Sequence, residues 1–197
     1  MKKISAKLLL IPLLLLNFTQ TSHAEFKDVF HLHKNYDAII YLQENDMIQG
    51  YPDNTFKPEN KINRAEFLKI IMEGTDIPLD IQQNAPFSDI NQNSWYAPYV
   101  KKAYKEGWIS GYPDKTFKPE QTINKVEALK ILGELQNWDI HYSITTAPYN
   151  DTPVSEWYTK YVAYAKNHNY LEEAGSTFSP ENPMTRAKIC EIIYRTL

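Results

Sequence analysis

Two stretches decide the fold, Gly50-Tyr-Pro-Asp-Asn-Thr-Phe-Lys-Pro-Glu59 and Gly111-Tyr-Pro-Asp-Lys-Thr-Phe-Lys-Pro-Glu120. They are one motif written twice, 61 residues apart, and the register holds without a gap from 26–66 to 87–127. Upstream, Phe26-Lys-Asp28 answers Phe87-Ser-Asp89, and downstream Ile62-Asn-Arg-Ala-Glu66 answers Ile123-Asn-Lys-Val-Glu127. A third copy opens with Tyr149-Asn-Asp151 and Trp157-Tyr158, then drops one residue. It closes with Thr177-Phe-Ser-Pro-Glu181 and Met184-Thr-Arg-Ala-Lys188. Self-similarity at a fixed period marks a repeat architecture, whose single unit buries too little to stand alone.

Within each copy the pattern predicts helix, turn-rich loop, helix. First helices are expected over 35–45, 96–106 and 158–167, with Tyr99, Val100, Ala103 and Tyr104 at helical spacing. Asn45-Asp46, Glu106-Gly107 and Asn167-His168-Asn169 supply stop signals. Pro52 and Pro113 are preset for tight turns. The second helices start after Asn63, Asn124 and Thr185, all good N-caps. Glu66 and Glu127 complete a capping box, which Lys188 breaks in the third copy. Ala65/Leu68/Ile71, Val126/Leu129/Leu132 and Ala187/Cys190/Ile193 form equivalent buried stripes. The lone Cys190 thus sits in a core position and reads as structural. The division is a leader at 1–24 and repeats at 25–80, 81–143 and 144–197. The expected fold is all-α, three helix-loop-helix units around a pseudo-three-fold centre, an open stack being the other arrangement.

The leader has the layout of a secretory signal peptide: Lys2, Lys3 and Lys7, an apolar run over 8–16, then Ser22 and Ala24 before a cut. That run is too short to span a bilayer, so the processed chain is expected outside the cytoplasm without membrane insertion. The leader takes three of the 21 basic residues and none of the 24 acids, leaving a charge of −6. Such a balance argues against nucleic acid as partner. A single cysteine allows no internal disulfide and no zinc set. Asp53 and Asp114 read as turn formers rather than calcium ligands, and His31 and His33 lack companions for a metal. No cofactor and no catalytic motif is expected.

The first residue of each second helix is basic: Arg64, Lys125 and Arg186. A cation is mildly unfavourable at a helix N-terminus, so three repetitions suggest a purpose. One reading is a pocket for a carboxylate or phosphate, with the cation beside exposed backbone N–H groups. The other is pairing with Asp28, Asp89 and Asp151 of neighbouring copies, and these aspartates also count among the candidate ligand-binding residues. Trp95, Trp157, Tyr51 and Tyr112 lie in or beside loops, where rings either stack on sugars or pack in the core. Trp108 answers Met47 and Tyr170 and reads as core.

The Phe-x-Asp openings, the Gly-Tyr-Pro-Asp-x-Thr-Phe-x-Pro loops and the Asn63-Arg-Ala-Glu66 helix start resemble the S-layer homology (SLH) repeat, over all of 26–197. The resemblance implies a triplet module with a central helical bundle. Its inter-repeat grooves would bind secondary cell-wall polysaccharide, commonly through pyruvylated sugars whose carboxylate meets Arg64, Lys125 and Arg186. Other envelope proteins are the alternative class of partner. The departures are Lys34 in place of Trp95 and Trp157, Lys125 in place of arginine, and Glu173-Ala-Gly-Ser176 in place of Gly-Tyr-Pro-Asp. They predict unequal grooves. Nothing is left over in the chain to form a hydrolase.

Overall fold

The computed structural model describes residues 25–75, 77–79, 84–141 and 143–197. The expected leader, 1–24, lies outside those residues. Six helices are described: α1 (Tyr36–Glu44), α2 (Arg64–Glu73), α3 (Ala97–Lys105), α4 (Lys125–Leu135), α5 (Thr159–Asn167) and α6 (Arg186–Thr196). Among the described residues the only β-pairing is three isolated bridges, so the fold is all-α.

Local chemistry sets the helix limits. The Asn63 side chain accepts from the Glu66 N–H at 2.8 Å while the Glu66 carboxylate accepts from the Asn63 N–H. Asn124 and Glu127 repeat the exchange. Thr185 caps α6 alone, accepting from the Lys188 N–H at 3.3 Å. The first helices stop where the chain turns left-handed, at Asp46, Gly107 and Asn169. Residue types tolerant of that conformation stand at all three positions.

The copies close on one another. Backbone bonds run from the Ile62 N–H to the Met184 carbonyl (3.2 Å), from Met184 to Ile123 (2.9 Å) and from Ile123 back to Ile62 (3.1 Å). This three-membered ring of equivalent residues defines a pseudo-three-fold centre and excludes an open stack. Helix packing is staggered between copies: α3 lies on α2, α5 on α4, and α1 on α6. Each first helix therefore covers a second helix of another copy, and the α1–α6 contact closes the circle. The expected stripes are all buried, Cys190 among them at 2 % exposure. Leu42, Ile71, Leu132, Leu135 and Ile193 meet around a 20 Å³ gap where α2, α4 and α6 converge. A core continuous through all three units makes their folding interdependent.

Candidate functional site

The Phe-x-Asp aspartates brace the loops. Asp28 accepts from the N–H groups of Phe56 (2.7 Å) and Lys57 (2.8 Å). Asp89 does the same for Phe117 and Lys118, and Asp151 for Phe178 and Ser179. Lys57, Lys118 and Ser179 have φ of 56°, 58° and 59°, so two amides converge on each carboxylate. Among the described residues, the alternative pairing of Asp28, Asp89 and Asp151 with Arg64, Lys125 and Arg186 of other copies does not form. Their oxygens are taken up by backbone within their own copy. Asp53 and Asp114 accept from Thr55 and Thr116 as turn formers.

A second correction concerns the helix starts. Their N–H groups are not exposed to a ligand, because the loop of the next copy covers them. Arg64 and Ala65 donate to the Gln121 and Pro119 carbonyls. Lys125 and Val126 donate to Asn182 and Pro180, and Arg186 and Ala187 to Asn60 and Pro58. Any anion must be met by side chains.

Those side chains cross the same boundaries. Arg64 Nε donates to the Phe117 carbonyl (2.9 Å), Lys125 Nζ to that of Phe178 (2.5 Å) and Arg186 Nε to that of Phe56 (2.7 Å). Each cation also lies over that phenylalanine ring, at 4.4–4.7 Å from the centroid. The neighbouring carbonyl and ring hold positive charge at a helix start that alone would disfavour it.

Around these cations the three inter-copy grooves differ. The Arg64 groove, about 390 Å³, is lined by Tyr112, Glu127, Lys130, Ile131 and Trp108 of the second copy and by Trp157 of the third. Trp108 thus packs on the core and also faces the groove. Arg64 is only 5 % exposed and pairs with Glu127 at 3.0 Å. Tyr112 donates to the same Glu127 oxygen at 2.5 Å. Burial and this carboxylate push the Tyr112 hydroxyl up to about 12. Burial lowers the Lys130 pKa, and Glu134 opposes the shift.

The Arg186 groove, about 280 Å³, repeats the plan with Tyr51, Glu66, Lys69 and Glu73 of the first copy and Trp95 of the second. Here the guanidinium is held by the Phe56 and Gln49 carbonyls. Among the described residues, no ion pair to Arg186 is formed. Trp95 and Trp157 are each 51 % exposed on the groove rims. Each open groove therefore takes a cation from one copy, a loop and helix from the next, and a tryptophan from the third.

The Lys125 groove shrinks to about 30 Å³. Lys125 pairs with Glu173, and Lys34, in the register of the tryptophans, pairs with Glu172 at 3.4 Å. The structure thus brings Arg64, Tyr112 and Trp157 to one groove and Arg186, Tyr51 and Trp95 to another. It leaves Lys125 in a third that is far smaller.

Sequence reading missed Lys69 and Lys130, five positions after Arg64 and Lys125. The repeat alignment could have exposed them, with Glu191 as the odd member. It also took Glu66 and Glu127 for caps alone, although each lines an open groove. Among the described residues, no group of acids, histidines or cysteine is placed to hold a metal ion.

A family model described as S-layer homology domain matches residues 25–68, 86–129 and 148–187. The chain is 32% identical over 163 residues to cell surface glycoprotein 1 of Acetivibrio thermocellus, covering 76% of this chain and 7% of that protein. It is 30% identical over 155 residues to the cellulosome-anchoring protein of the same organism, covering 73% of this chain and 33% of that protein. It is 26% identical over 172 residues to the S-layer protein sap of Bacillus anthracis, covering 87% of this chain and 21% of that protein. The chain thus spans a third or less of the length of these relatives.

Proposed function

The chain belongs to the S-layer homology family, and on that premise we propose that it is a non-covalent anchoring module of the cell surface. It binds secondary cell-wall polysaccharide in its two open grooves. The ligand group is a carboxylate on the sugar, such as a pyruvate ketal, received by Arg64 in one groove and Arg186 in the other. Trp157 and Trp95 offer flat faces to the sugar ring, and Tyr112 and Tyr51 flank the guanidinium groups.

One observation carries this reading. Two grooves, equivalent under the pseudo-three-fold, each pair a fixed guanidinium with a half-exposed tryptophan in a space of sugar size. The guanidinium is oriented before the ligand arrives, which lowers the ordering cost of binding. It also offers a planar fork suited to a carboxylate. The names of two relatives, an S-layer protein and a cellulosome-anchoring protein, fit surface attachment. The anchoring role assigns no reaction to these residues, and the enzymes among the relatives, an exoglucanase, an amylopullulanase and a xylanase, match this chain over 15%, 10% and 8% of their length.

The test is sedimentation of the protein with purified cell-wall sacculi before and after extraction of the attached polysaccharide. Binding lost with the polysaccharide supports the reading. Equal binding to both preparations, or to neither, overturns it. A second reading, docking to another envelope protein, is favoured by Phe30 and Leu32 of the first copy, which stand 68 % and 86 % exposed. It predicts binding to the extracted wall that Phe30→Ser and Leu32→Ser abolish.

A further inference from the structure

The Lys125 groove differs from the other two at several positions, and the differences fit together. Where the open grooves take tryptophan from one copy, it takes Lys34. Where they carry Gly-Tyr-Pro-Asp in the loop (Gly50-Tyr51, Gly111-Tyr112), it carries Glu173-Ala-Gly-Ser176, with a second glutamate, Glu172, just before. Where they have Glu66 or Glu127 with Lys69 or Lys130, it has Lys188 with Glu191, the charges exchanged. The cation itself is lysine.

The loop shows how this rearrangement is reached. In the first two copies a side chain at the glycine has no room: a Cβ at Gly111 would meet the Phe87 ring and come within 2.7 Å of the Thr116 carbonyl. The third copy drops one residue between Trp157-Tyr158 and Thr177. Tyr149 stands where Phe87 does, and its hydroxyl bonds to the Glu173 carbonyl at 2.9 Å. Two adjacent glutamates then reach inward. Glu173 meets Lys125, and Glu172 meets Lys34 and the Asn35 amide. The same Asn35 nitrogen donates to Glu191 at 3.0 Å, and Arg195 holds Glu191 at 2.6 Å. Asn35 is 1 % exposed, and its Oδ1 has no partner.

We propose that Glu173, supported by Glu172, is a built-in carboxylate ligand of Lys125 that fixes the number of wall-binding grooves at two. The same pair turns the third groove into a clasp across the three copies. The part concerning binding rests on the reading given above; the clasp does not. A tethered carboxylate acts at an effective concentration of roughly millimolar or more. A sugar carboxylate must displace it before it can use Lys125. Arg64 is paired as well, with Glu127, but among the described residues the Phe117 carbonyl and Glu127 engage only its Nε and Nη1. The compact ammonium of Lys125 has fewer donors to share among Glu173, the Phe178 carbonyl and a ligand. The clasp also stands at the α1–α6 seam, which closes the ring of copies. The other two seams carry Tyr99–Glu73 and Tyr161–Glu134 hydrogen bonds instead.

Two measurements on the full chain test this. The first is a double-mutant cycle on unfolding in urea with Lys125→Met and Glu173→Gln. The expected coupling is roughly tenfold or more in the unfolding constant, and additive effects overturn the proposal. The second is a calorimetric titration with the methyl glycoside of a pyruvate-ketal hexose. Two sites are expected in the wild type and three in Glu173→Gln. Glu173→Ala, which removes the carboxylate with less bulk, serves if the glutamine variant folds poorly. A folded variant that stays at two sites overturns the role in binding. A wild-type chain that binds no glycoside fails the proposed function instead, and the cycle then decides the clasp alone.

Discussion

Replacing Asp151 by alanine separates a bracing role from a ligand role for the Phe-x-Asp aspartates. The Asp151 carboxylate accepts from the Phe178 N–H at 2.8 Å and from the Ser179 N–H at 2.7 Å. Hydrogen bonds to a charged acceptor contribute about 1.5–3 kcal/mol each. Asp151 is half-exposed, so water recovers part of that loss, and about 2 kcal/mol is expected for the pair. For a chain of this size that lowers the melting temperature by roughly 4–8 °C. Burial acts to raise the Asp151 pKa, but the two N–H groups outweigh it and hold the value below the ordinary one. The unfolded chain therefore takes up the proton first as pH falls. The contribution is complete above about pH 4 and is lost as pH drops through the folded value. Urea unfolding of wild type and Asp151→Ala at neutral and acid pH measures both effects. The difference between the proteins should narrow toward acid, and wall binding below the melting transition should survive. A variant of unchanged stability that no longer binds wall would refute the bracing account.

Gly111 has φ +73°, and an added Cβ would come within 2.7 Å of the Thr116 carbonyl. Gly111→Ala should therefore cost about 3 kcal/mol, read by urea unfolding; a neutral substitution contradicts the packing described. Cys190 is buried among apolar side chains, which push its thiol up to about 12. It should resist a disulfide reagent in native buffer and react on unfolding, and rapid native labelling would contradict its core position. Arg64→Ala and Arg186→Ala should differ in kind. Removing Arg64 strands the half-buried Glu127 and should cost roughly 3 kcal/mol of stability. Removing Arg186, whose partners are carbonyls, should chiefly weaken binding, by roughly tenfold or more. Denaturation and polymer-binding isotherms on both variants check this, and identical profiles would contradict it.

The helix boundaries were legible because they are local. Asn63, Asn124 and Thr185 cap through bonds to residues three positions away, and Gly107 stops α3 through its own backbone freedom. The buried stripes were legible for a similar reason, since three aligned copies show which positions stay apolar. The partners of Asp28, Asp89 and Asp151 were not legible. Each reaches amides 27 to 29 residues away, a distance that no spacing rule encodes. The direction in which one copy passes its cation to the next was equally hidden, because it depends on how the ring closes. Repeat alignment came closest to the site. It flagged Lys34, Lys125 and Glu173 as departures, but only the fold shows that Lys125 and Glu173 pair in one groove, with Lys34 at its edge on the adjacent Glu172.

The central claim is that a sugar carboxylate enters the two open grooves. The most direct measurement compares binding of purified wall polysaccharide before and after acid hydrolysis that removes its pyruvate ketals and leaves the chain of sugars intact. The account predicts saturable binding to the native polymer at two sites per protein, and its loss when the ketal is gone. Equal binding to both polymers would contradict it.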